Sequence, residues 1–185
     1  DVKNNNITFF KAEVPPLSDI KDNSIDYVVT FQVIEHIHDD VLFLKEIHRV
    51  LKTGGKLILT TPNSTMSLTR NPWHIREYNP EEMKGIVKKV FDNCELYGVF
   101  GNDKVMTYYN KNKAAVKKIT RFDIFNMQYW LPRWILQIPY DILNRFNRHN
   151  LHDEEKEIVD SITYKDYEIK SSAGDCLDHF CVATK

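Results

Sequence analysis

The chain has 185 residues, of which 42% are hydrophobic and 28% charged, and it contains six Gly and seven Pro. This composition excludes a disordered, collagen-like or low-complexity chain and predicts a soluble globular protein of about one domain. The 25 basic and 26 acidic side chains leave a net charge of −1, which gives no overall reason to expect a nucleic-acid partner.

Charge and cysteine placement are more informative than the totals. Residues 104–149 hold nine Lys/Arg and two Asp/Glu, a local charge of +7, so an anionic partner is expected at that segment. The three cysteines form no C-x-x-C pair and cannot all be bridged within one chain, which favours a reducing compartment, the cytoplasm. We expect no signal peptide and no membrane-spanning helix, which would need an apolar run of roughly 20 residues.

Two strands are predicted in the first part of the chain. Ile7–Phe10 is a β-branched and aromatic run ahead of the breaker Pro15-Pro16. Residues 25–31 form a nearly continuous apolar run after a polar turn, which is typical of a central parallel strand covered on both faces.

The next elements predict the fold class. Asp39 or Asp40 can cap a helix whose apolar positions recur at helical spacing, Gly54-Gly55 is expected to end it, and residues 56–61 read as a strand stopped by Pro62. Strand, helix and strand in this order predict a right-handed crossover in a Rossmann-like, doubly wound α/β fold with a mostly parallel sheet. Ligands bind beyond the carboxyl ends of such strands, so the candidate site covers residues 31–38 and the chain from Pro62 onward.

The remaining chain predicts more of the same sheet, interrupted by helices. Asn79 and Pro80 open a helix that runs to Phe91. Further strands are expected at residues 95–99, 162–171 and 176–184, and helices divided by Pro132 and Pro139 are expected between them. The predicted organisation is a partial core at 1–103, an aromatic and basic helical insertion at 104–150, and C-terminal strands at 151–185 that complete the sheet.

One long pattern resembles a known family. Residues 22–37, continuing through 43–55 to Thr60-Thr61-Pro62-Asn63, resemble class I S-adenosylmethionine-dependent methyltransferases, and the likeness extends over roughly residues 7–100. The resemblance implies S-adenosylmethionine as cofactor and methyl transfer to an oxygen or nitrogen of a small-molecule or saccharide-linked acceptor.

The start of the chain departs from that family. The glycine-rich turn and the acidic strand end that bind cofactor in such enzymes are absent, and Asp1-Val2-Lys3 begins where a third strand is about to start. We therefore expect the N-terminal strands of the domain to be missing from this chain. Residues 1–185 alone are then expected to bind S-adenosylmethionine weakly, in the millimolar range, and to expose Tyr27, Val29 and Leu57.

The resemblance also implies a cofactor site. Phe31, Gln32 and Val33 would lie beside the methionine part of the cofactor. The adenine part would contact Ala12, Glu13 and Val14, where Glu13 either replaces the family's acidic residue or is an ordinary surface glutamate.

His36 and Glu35 are the predicted catalytic residues. A neutral imidazole with a pKa near 6.5 can act as general base toward an acceptor hydroxyl. The alternatives are that His36 only orients the loop or caps the next helix. Glu35 either holds the imidazole or simply starts that helix.

A second run, residues 71–80, resembles the N-P-[FYW]-H-x-R-E-[FY] stretch of methyltransferases that modify bacterial surface polysaccharides and small metabolites. His74, Arg76 and Tyr78 would line the acceptor pocket, where His and Arg suit a sugar or a phosphorylated group. Alternatively, Arg76 and Glu77 brace the loop.

No metal is expected. Small-RNA 2′-O-methyltransferases bind a divalent ion through E-x-x-E-H and a later histidine, and Gln32 to His36 with His74 is similar. The first carboxylate is here the neutral Gln32, and Mg²⁺ prefers carboxylate oxygens.

The insertion has four candidate roles: a lid, a peripheral membrane contact through residues 122–146, a homodimer interface, or packing on the sheet. RNA stacking is permitted by composition, but no recognition motif supports it. The residues behind these readings are Phe122, Phe125, Tyr129, Trp130, Trp134, Tyr140 and Phe146 among Arg121, Arg133, Arg145 and Arg148. Two rival functions also stay open, a nicotinamide-dependent oxidoreductase and a non-catalytic interaction domain that kept the fold.

Overall fold

A computed structural model describes residues 7–121, 123, 125–171 and 174–185. They form a five-stranded mixed sheet with the strand order β1-β2-β5-β3-β4. The strands are β1 (Ile25–Phe31), β2 (Leu51–Pro62), β3 (Asn93–Gly101), β4 (Tyr167–Ser171) and β5 (Asp178–Thr184).

The predicted strand–helix–strand unit is present. β1 and β2 pair in parallel, and α1 (Asp40–Val50) connects them. The Asp39 side chain caps α1 by accepting a hydrogen bond from the Leu42 amide. The predicted helix end was wrong: Leu51 already starts β2, and Gly54, with φ of +80°, lies inside that strand where the register against β1 shifts. The glycines therefore serve an irregular strand rather than a helix cap.

β1 is not central in the described chain. It pairs with β2 alone and forms the edge of the sheet, so Tyr27 and Val29 are 64% and 54% exposed as expected, whereas Leu57 on β2 is fully buried. The predicted strand at Ile7–Phe10 was also wrong, since these residues pair with no described strand and Phe9 is 87% exposed.

The sheet is mixed rather than mostly parallel. β5 lies between β2 and β3 and is antiparallel to both, and β3 and β4 are antiparallel as well. The direction of β5 follows from where the chain enters the sheet, because its first residue, Asp178, pairs with Pro62 at the end of β2. The predicted strands at 95–99 and 176–184 are otherwise confirmed.

One apolar core lies between the sheet and the first two helices. α2 (Pro80–Lys88) begins with a capping box between Asn79 and Glu82, as the sequence predicted, and ends before Phe91. Apolar side chains of α1 and α2 pack on those of β2 and β5, and the largest buried members are Tyr78, Phe91, Leu44, Ile47, Leu57, Leu59 and Met83.

The chain between β3 and β4 forms a separate layer of helices. They are α3 (Asp103–Thr120), α4 (Met127–Trp130), α5 (Arg133–Glu154) and α6 (Lys156–Ser161). Pro139 was predicted to divide two helices, and this was wrong because Pro139 lies inside α5. Both parts of α5 are anchored, because Arg133 donates to the Ile75 carbonyl and Asn147 donates to Asn112 of α3. Within the described residues, no helix is both long and apolar enough to cross a membrane.

Candidate active site

The site lies at the carboxyl ends of β1 and β2. Gln32 follows β1 with φ of +55°, a conformation that costs a non-glycine residue energy and is often found at functional sites. The backbone amide of Gln32 donates to the Thr60 carbonyl at 2.9 Å, and the chain then enters a 3₁₀ segment, Ile34–His36. This turn leaves the Phe31 side chain 54% exposed at the strand end.

The residues predicted to contact the cofactor are largely at the surface. Phe31 offers an exposed apolar ring, Gln32 an exposed polar side chain, and Val33 is half-buried beside them. Ala12 and Glu13 are exposed, and Val14 packs against the core. The predicted cofactor residues are thus accessible to a ligand, apart from the inward side of Val14 and Val33.

Glu35 connects the 3₁₀ segment to the loop formed by residues 66–78, the acceptor loop. Its side chain is fully buried, and Oε2 accepts a hydrogen bond from Thr61 Oγ1 at 2.9 Å. Its backbone carbonyl accepts from the amides of Ile75 and Arg76. Among the described residues, Glu35 Oε1 is the buried side-chain oxygen left without a hydrogen-bond partner, so it can still accept a hydrogen bond.

His36 is held by the acceptor loop and not by the Glu35 carboxylate. Its Nδ1 lies 3.0 Å from the Trp73 carbonyl oxygen, which can only accept, so Nδ1 carries the proton. In the neutral imidazole this tautomer leaves the lone pair on Nε2. Because the His36 side chain is exposed, that lone pair can receive a proton from a bound molecule.

His74 lies next to His36, with the two ring centroids 4.8 Å apart and nearly perpendicular. His74 Nδ1 donates to Glu77 Oε1 at 2.5 Å, and Asn71 Nδ2 donates to His74 Nε2 at 2.8 Å. Burial raises the pKa of Glu77, but hydrogen bonds from His74 and Ser67 outweigh it and hold that pKa below its ordinary value. An ionised Glu77 therefore fixes the orientation of the His74 ring.

Arg76 and Tyr78 bind the same carboxylate, that of Asp40 at the start of α1. Arg76 forms an ion pair with Asp40, and the Tyr78 hydroxyl donates to it at 2.8 Å. Tyr78 is 2% exposed, and its pKa is raised first by burial and then by its hydrogen bond to Asp40. The structure therefore places Tyr78 in the core and Arg76 as a brace of the loop, which is the second of the two roles considered for Arg76.

A cavity of about 930 Å³ lies between the acceptor loop and helices α3 to α5. His74 and Glu77 line it from the loop. The helices contribute mainly apolar side chains with several amides, including Val116, Met127, Leu131, Ile135, Leu136, Tyr140, Leu143, Asn112, Asn144 and Asn147. Such a volume suits a small-molecule site.

The helical insertion packs on the acceptor loop. Trp73 Nε1 donates to Asp141 at 2.9 Å, and Arg70 donates to the Gln128 carbonyl at 3.1 Å. Of the aromatic and basic residues singled out in this segment, Phe122 and the side chain of Arg148 lie outside the described part of the chain.

Several functional residues escaped the sequence analysis. Thr61, which binds Glu35, and Asn71, which binds His74, are brought in by the tertiary fold. Thr61 had a usable signal, because it stands at the carboxyl end of a predicted strand. The α5 residues that line the cavity had no such sequence signal, since apolar positions on a helix do not reveal whether they face a core or a ligand.

Glu35, His36 and His74 are also a group that could hold a metal ion, since their ligand atoms lie within 4.8 Å of one another. Two imidazoles and one carboxylate suit zinc or iron better than Mg²⁺. The hydrogen bond from Asn71 to His74 Nε2 would have to break first. The absence of a metal stays a prediction.

Comparisons with known proteins agree with this description. Residues 1–59 match the family model described as a methyltransferase domain. A probable S-adenosylmethionine-dependent methyltransferase of Mycolicibacterium smegmatis is 39% identical over 106 residues, covering 54% of this chain and 38% of that protein. One from Mycobacterium tuberculosis strain H37Rv is 43% identical over 95 residues, covering 48% of this chain and 33% of that protein.

A solved structure shares the fold. It is described as a SAM-dependent methyltransferase, possible histamine N-methyltransferase, from Thermotoga maritima, with a TM-score of 0.50 and 15% identity over 90% of this chain and 58% of that one. The α/β architecture is therefore Rossmann-like, as predicted. The sequence matches make about half of this chain similar to S-adenosylmethionine-dependent methyltransferases, and the first 59 residues similar to their methyltransferase domain. The chain spans 38% and 33% of the length of the two mycobacterial relatives.

Proposed function

We propose that this protein transfers the methyl group of S-adenosylmethionine to an oxygen or nitrogen of a small-molecule or saccharide-linked acceptor. The observation that carries the proposal is His36 with a free Nε2, beside His74 and a cavity of about 930 Å³, at the carboxyl ends of parallel strands. Methyl transfer needs a base and a positioned acceptor, and this arrangement offers both.

The cofactor would be held from two sides. Phe31, Gln32 and Val33 would contact its methionine part, and Ala12, Glu13 and Val14 its adenine part. When bound, S-adenosylmethionine supplies an electrophilic methyl group on a sulfonium. The role left to the chain is to orient both reactants, exclude water and remove a proton.

The acceptor would lie in the cavity with its reacting group toward His74. Asn71 and Glu77 fix the His74 ring, so that one face of the cavity presents a rigid polar group. The apolar helix side chains opposite would contact the rest of the acceptor. An acceptor hydroxyl that binds next to His74 comes within reach of His36, because the rings of His36 and His74 are edge to face.

His36 Nε2 then accepts the acceptor's proton as its oxygen or nitrogen takes the methyl group. The Trp73 carbonyl stabilises the resulting imidazolium, because Nδ1 already donates to it. Glu35 is a positioning residue in this scheme: its carbonyl holds the loop that carries Trp73 and His74.

The test uses the intact protein and methyl-labelled S-adenosylmethionine with a panel of sugar, lipid-linked and small alcohol or amine acceptors. His36→Ala should lower turnover by about 100-fold or more, with cofactor affinity nearly unchanged in calorimetry. His38→Ala is the matched control, because His38 is also exposed and lies two residues away. Equal turnover by wild type and His36→Ala would remove the base assignment.

The same assay separates the rival functions. Binding of NADH in place of S-adenosylmethionine would indicate an oxidoreductase, and cofactor binding without transfer to any acceptor would indicate a non-catalytic domain. We expect EDTA to leave turnover unchanged. Loss of activity with EDTA, restored by zinc or iron, would instead assign Glu35, His36 and His74 to a metal.

We place this activity in the cytoplasm and expect no nucleic-acid acceptor. The three cysteines are free thiols, including Cys94 and Cys181, whose sulfur atoms lie 3.4 Å apart in a hydrogen bond and not in a disulfide. Free thiols at this distance suit a reducing compartment.

A further inference from the structure

Helix α5 has two apolar faces. One face lines the cavity, with Leu136, Pro139, Tyr140 and Leu143 at helical spacing. The other carries four large apolar residues at every fourth position: Trp134, Ile138, Ile142 and Phe146, which are 71%, 70%, 64% and 63% exposed. We call these four residues the outer stripe. A helix that is apolar on both sides is typical of one whose outer side meets another apolar phase.

The chain just before α5 exposes further aromatic rings. Phe125, Tyr129 and Trp130 are 76%, 64% and 65% exposed. Single exposed apolar residues are normal on protein surfaces, but seven large ones that are each more than 60% exposed within 22 consecutive residues mark an interaction surface. Trp and Tyr are the residues that concentrate at the boundary between lipid and water.

Charge favours an anionic partner. Residues 104–149 hold nine Lys/Arg and two Asp/Glu, whereas the rest of the chain is net acidic. Arg145 is exposed beside the outer stripe, and Lys113, Lys117 and Lys118 are exposed on α3, which contacts α5 through Asn112 and Asn147. Basic groups around an apolar helix face are typical of helices that lie on anionic bilayers.

Two other occupants fit less well. A second copy of the same face would bring the same net positive charge against itself, since a twofold interface pairs identical patches. A single-stranded nucleic acid would use aromatic rings for stacking, but Ile138 and Ile142 at the centre of the outer stripe offer no ring.

We propose that the outer stripe, with Phe125, Tyr129 and Trp130, docks this protein on an anionic lipid bilayer. α5 lies in the plane of the headgroups, its apolar side chains enter the acyl boundary, and Arg145 beside the outer stripe contacts lipid phosphates. The opposite face of the same helix then forms the wall of the cavity, so docking brings the cavity to the membrane surface. The inference does not require that the protein be a methyltransferase.

The test is sedimentation of the intact protein with vesicles of phosphatidylglycerol and phosphatidylcholine, compared with phosphatidylcholine alone. We expect at least about tenfold tighter binding to the anionic vesicles, weakened by added salt. The fluorescence of Trp130 and Trp134 should shift to shorter wavelength on binding, and the double variant Trp130→Phe/Trp134→Phe should remove most of that shift.

Substitutions locate the contact. Ile138→Glu should weaken vesicle binding by about tenfold or more, since it places a charge in the apolar stripe. Tyr164→Glu is the control: Tyr164 is 82% exposed, lies outside the segment and receives the same new charge. Both sites are exposed, so thermal unfolding should be unchanged in both variants.

Three outcomes overturn the proposal. Equal sedimentation of wild type and Ile138→Glu would move the contact elsewhere. A dimer in analytical ultracentrifugation that Ile138→Glu dissociates, without vesicle binding by wild type, would assign the face to a second copy. Binding of single-stranded RNA in place of vesicles, lost in the same variant, would assign it to nucleic acid.

Discussion

Asp40 is the residue on which the acceptor loop depends. It is 5% exposed, yet it carries a carboxylate that Arg76 pairs with and that the Tyr78 hydroxyl binds. The buried Asp40 carboxylate is tolerated because it is paired with Arg76 and hydrogen-bonded by Tyr78, and both of these residues come from one loop. The loop that positions His74 is thereby fastened to the start of α1, the helix that follows His36 in the chain.

Tyr78→Phe should lower the free energy of unfolding by about 1–2 kcal/mol, because the buried Asp40 carboxylate loses a hydrogen-bond donor. Denaturant unfolding measures the loss. The Michaelis constant for the acceptor should stay unchanged, since the Tyr78 side chain lies in the core. A raised Michaelis constant with unchanged stability would restore Tyr78 to the acceptor pocket.

At the scale of elements, β3 makes room for its neighbours through glycine. A Cβ on Gly98 would lie 2.3 Å from Cys176 Cβ, and one on Gly101 would lie 2.3 Å from Val105 of α3. The loop before β5 and the first turn of α3 therefore pack directly on the β3 backbone. This contact connects the helical layer, which forms one wall of the cavity, to the sheet.

Gly98→Ala should destabilise the protein by about 1–3 kcal/mol, because Cys176 must move to admit a methyl group. Gly85→Ala is the matched control, since Gly85 lies in α2 with nothing within 4 Å of its Cβ position. That change should stabilise the protein by about 0.5–1 kcal/mol. Thermal and urea unfolding of both variants measure the difference, and equal effects would contradict the packing.

At the scale of the whole molecule, β5 joins the two halves of the sheet and carries a buried histidine. His179 is fully buried, and its Nε2 donates to the Tyr78 carbonyl at 2.8 Å. Burial lowers the pKa of His179, and the hydrogen bond to that carbonyl opposes the shift only in part. Burial likewise lowers the pKa of His48, with Lys185 adding to the effect. Both side chains are therefore neutral in the folded protein at pH 7.

Stability should fall as the pH drops from 7.5 to 5.5. The unfolded chain takes up protons on these histidines near pH 6.5, whereas the folded chain binds them only at lower pH, so acid favours unfolding in this window. Thermal unfolding at several pH values measures the slope. Burial raises the pKa of Asp178, which acts in the opposite direction, so variants must be compared.

His179→Gln should flatten that slope, because glutamine can donate to the Tyr78 carbonyl without titrating. His38→Gln, at an exposed position, should leave the slope as it is. An unchanged slope in His179→Gln would show that His179 does not titrate with folding.

The sequence alone determined what depends on local periodicity and short motifs. β1, α1, β2, the capped start of α2, β3 and β5 were predicted, because apolar spacing and caps such as Asp39 and Asn79 act within a few residues. The catalytic candidates followed from the same logic, since residues after parallel strands gather at one edge of the sheet.

Only the tertiary structure decided the rest. Strand neighbours depend on pairings between distant residues, so the edge position of β1 and the antiparallel direction of β5 could not be read from either strand's own residues. The roles of Tyr78, Arg76 and Glu35 depend on partners such as Asp40 and Thr61, 26 to 38 positions away in the chain. The two faces of α5 look alike in sequence because both are apolar, and the cavity on one side with solvent on the other distinguishes them.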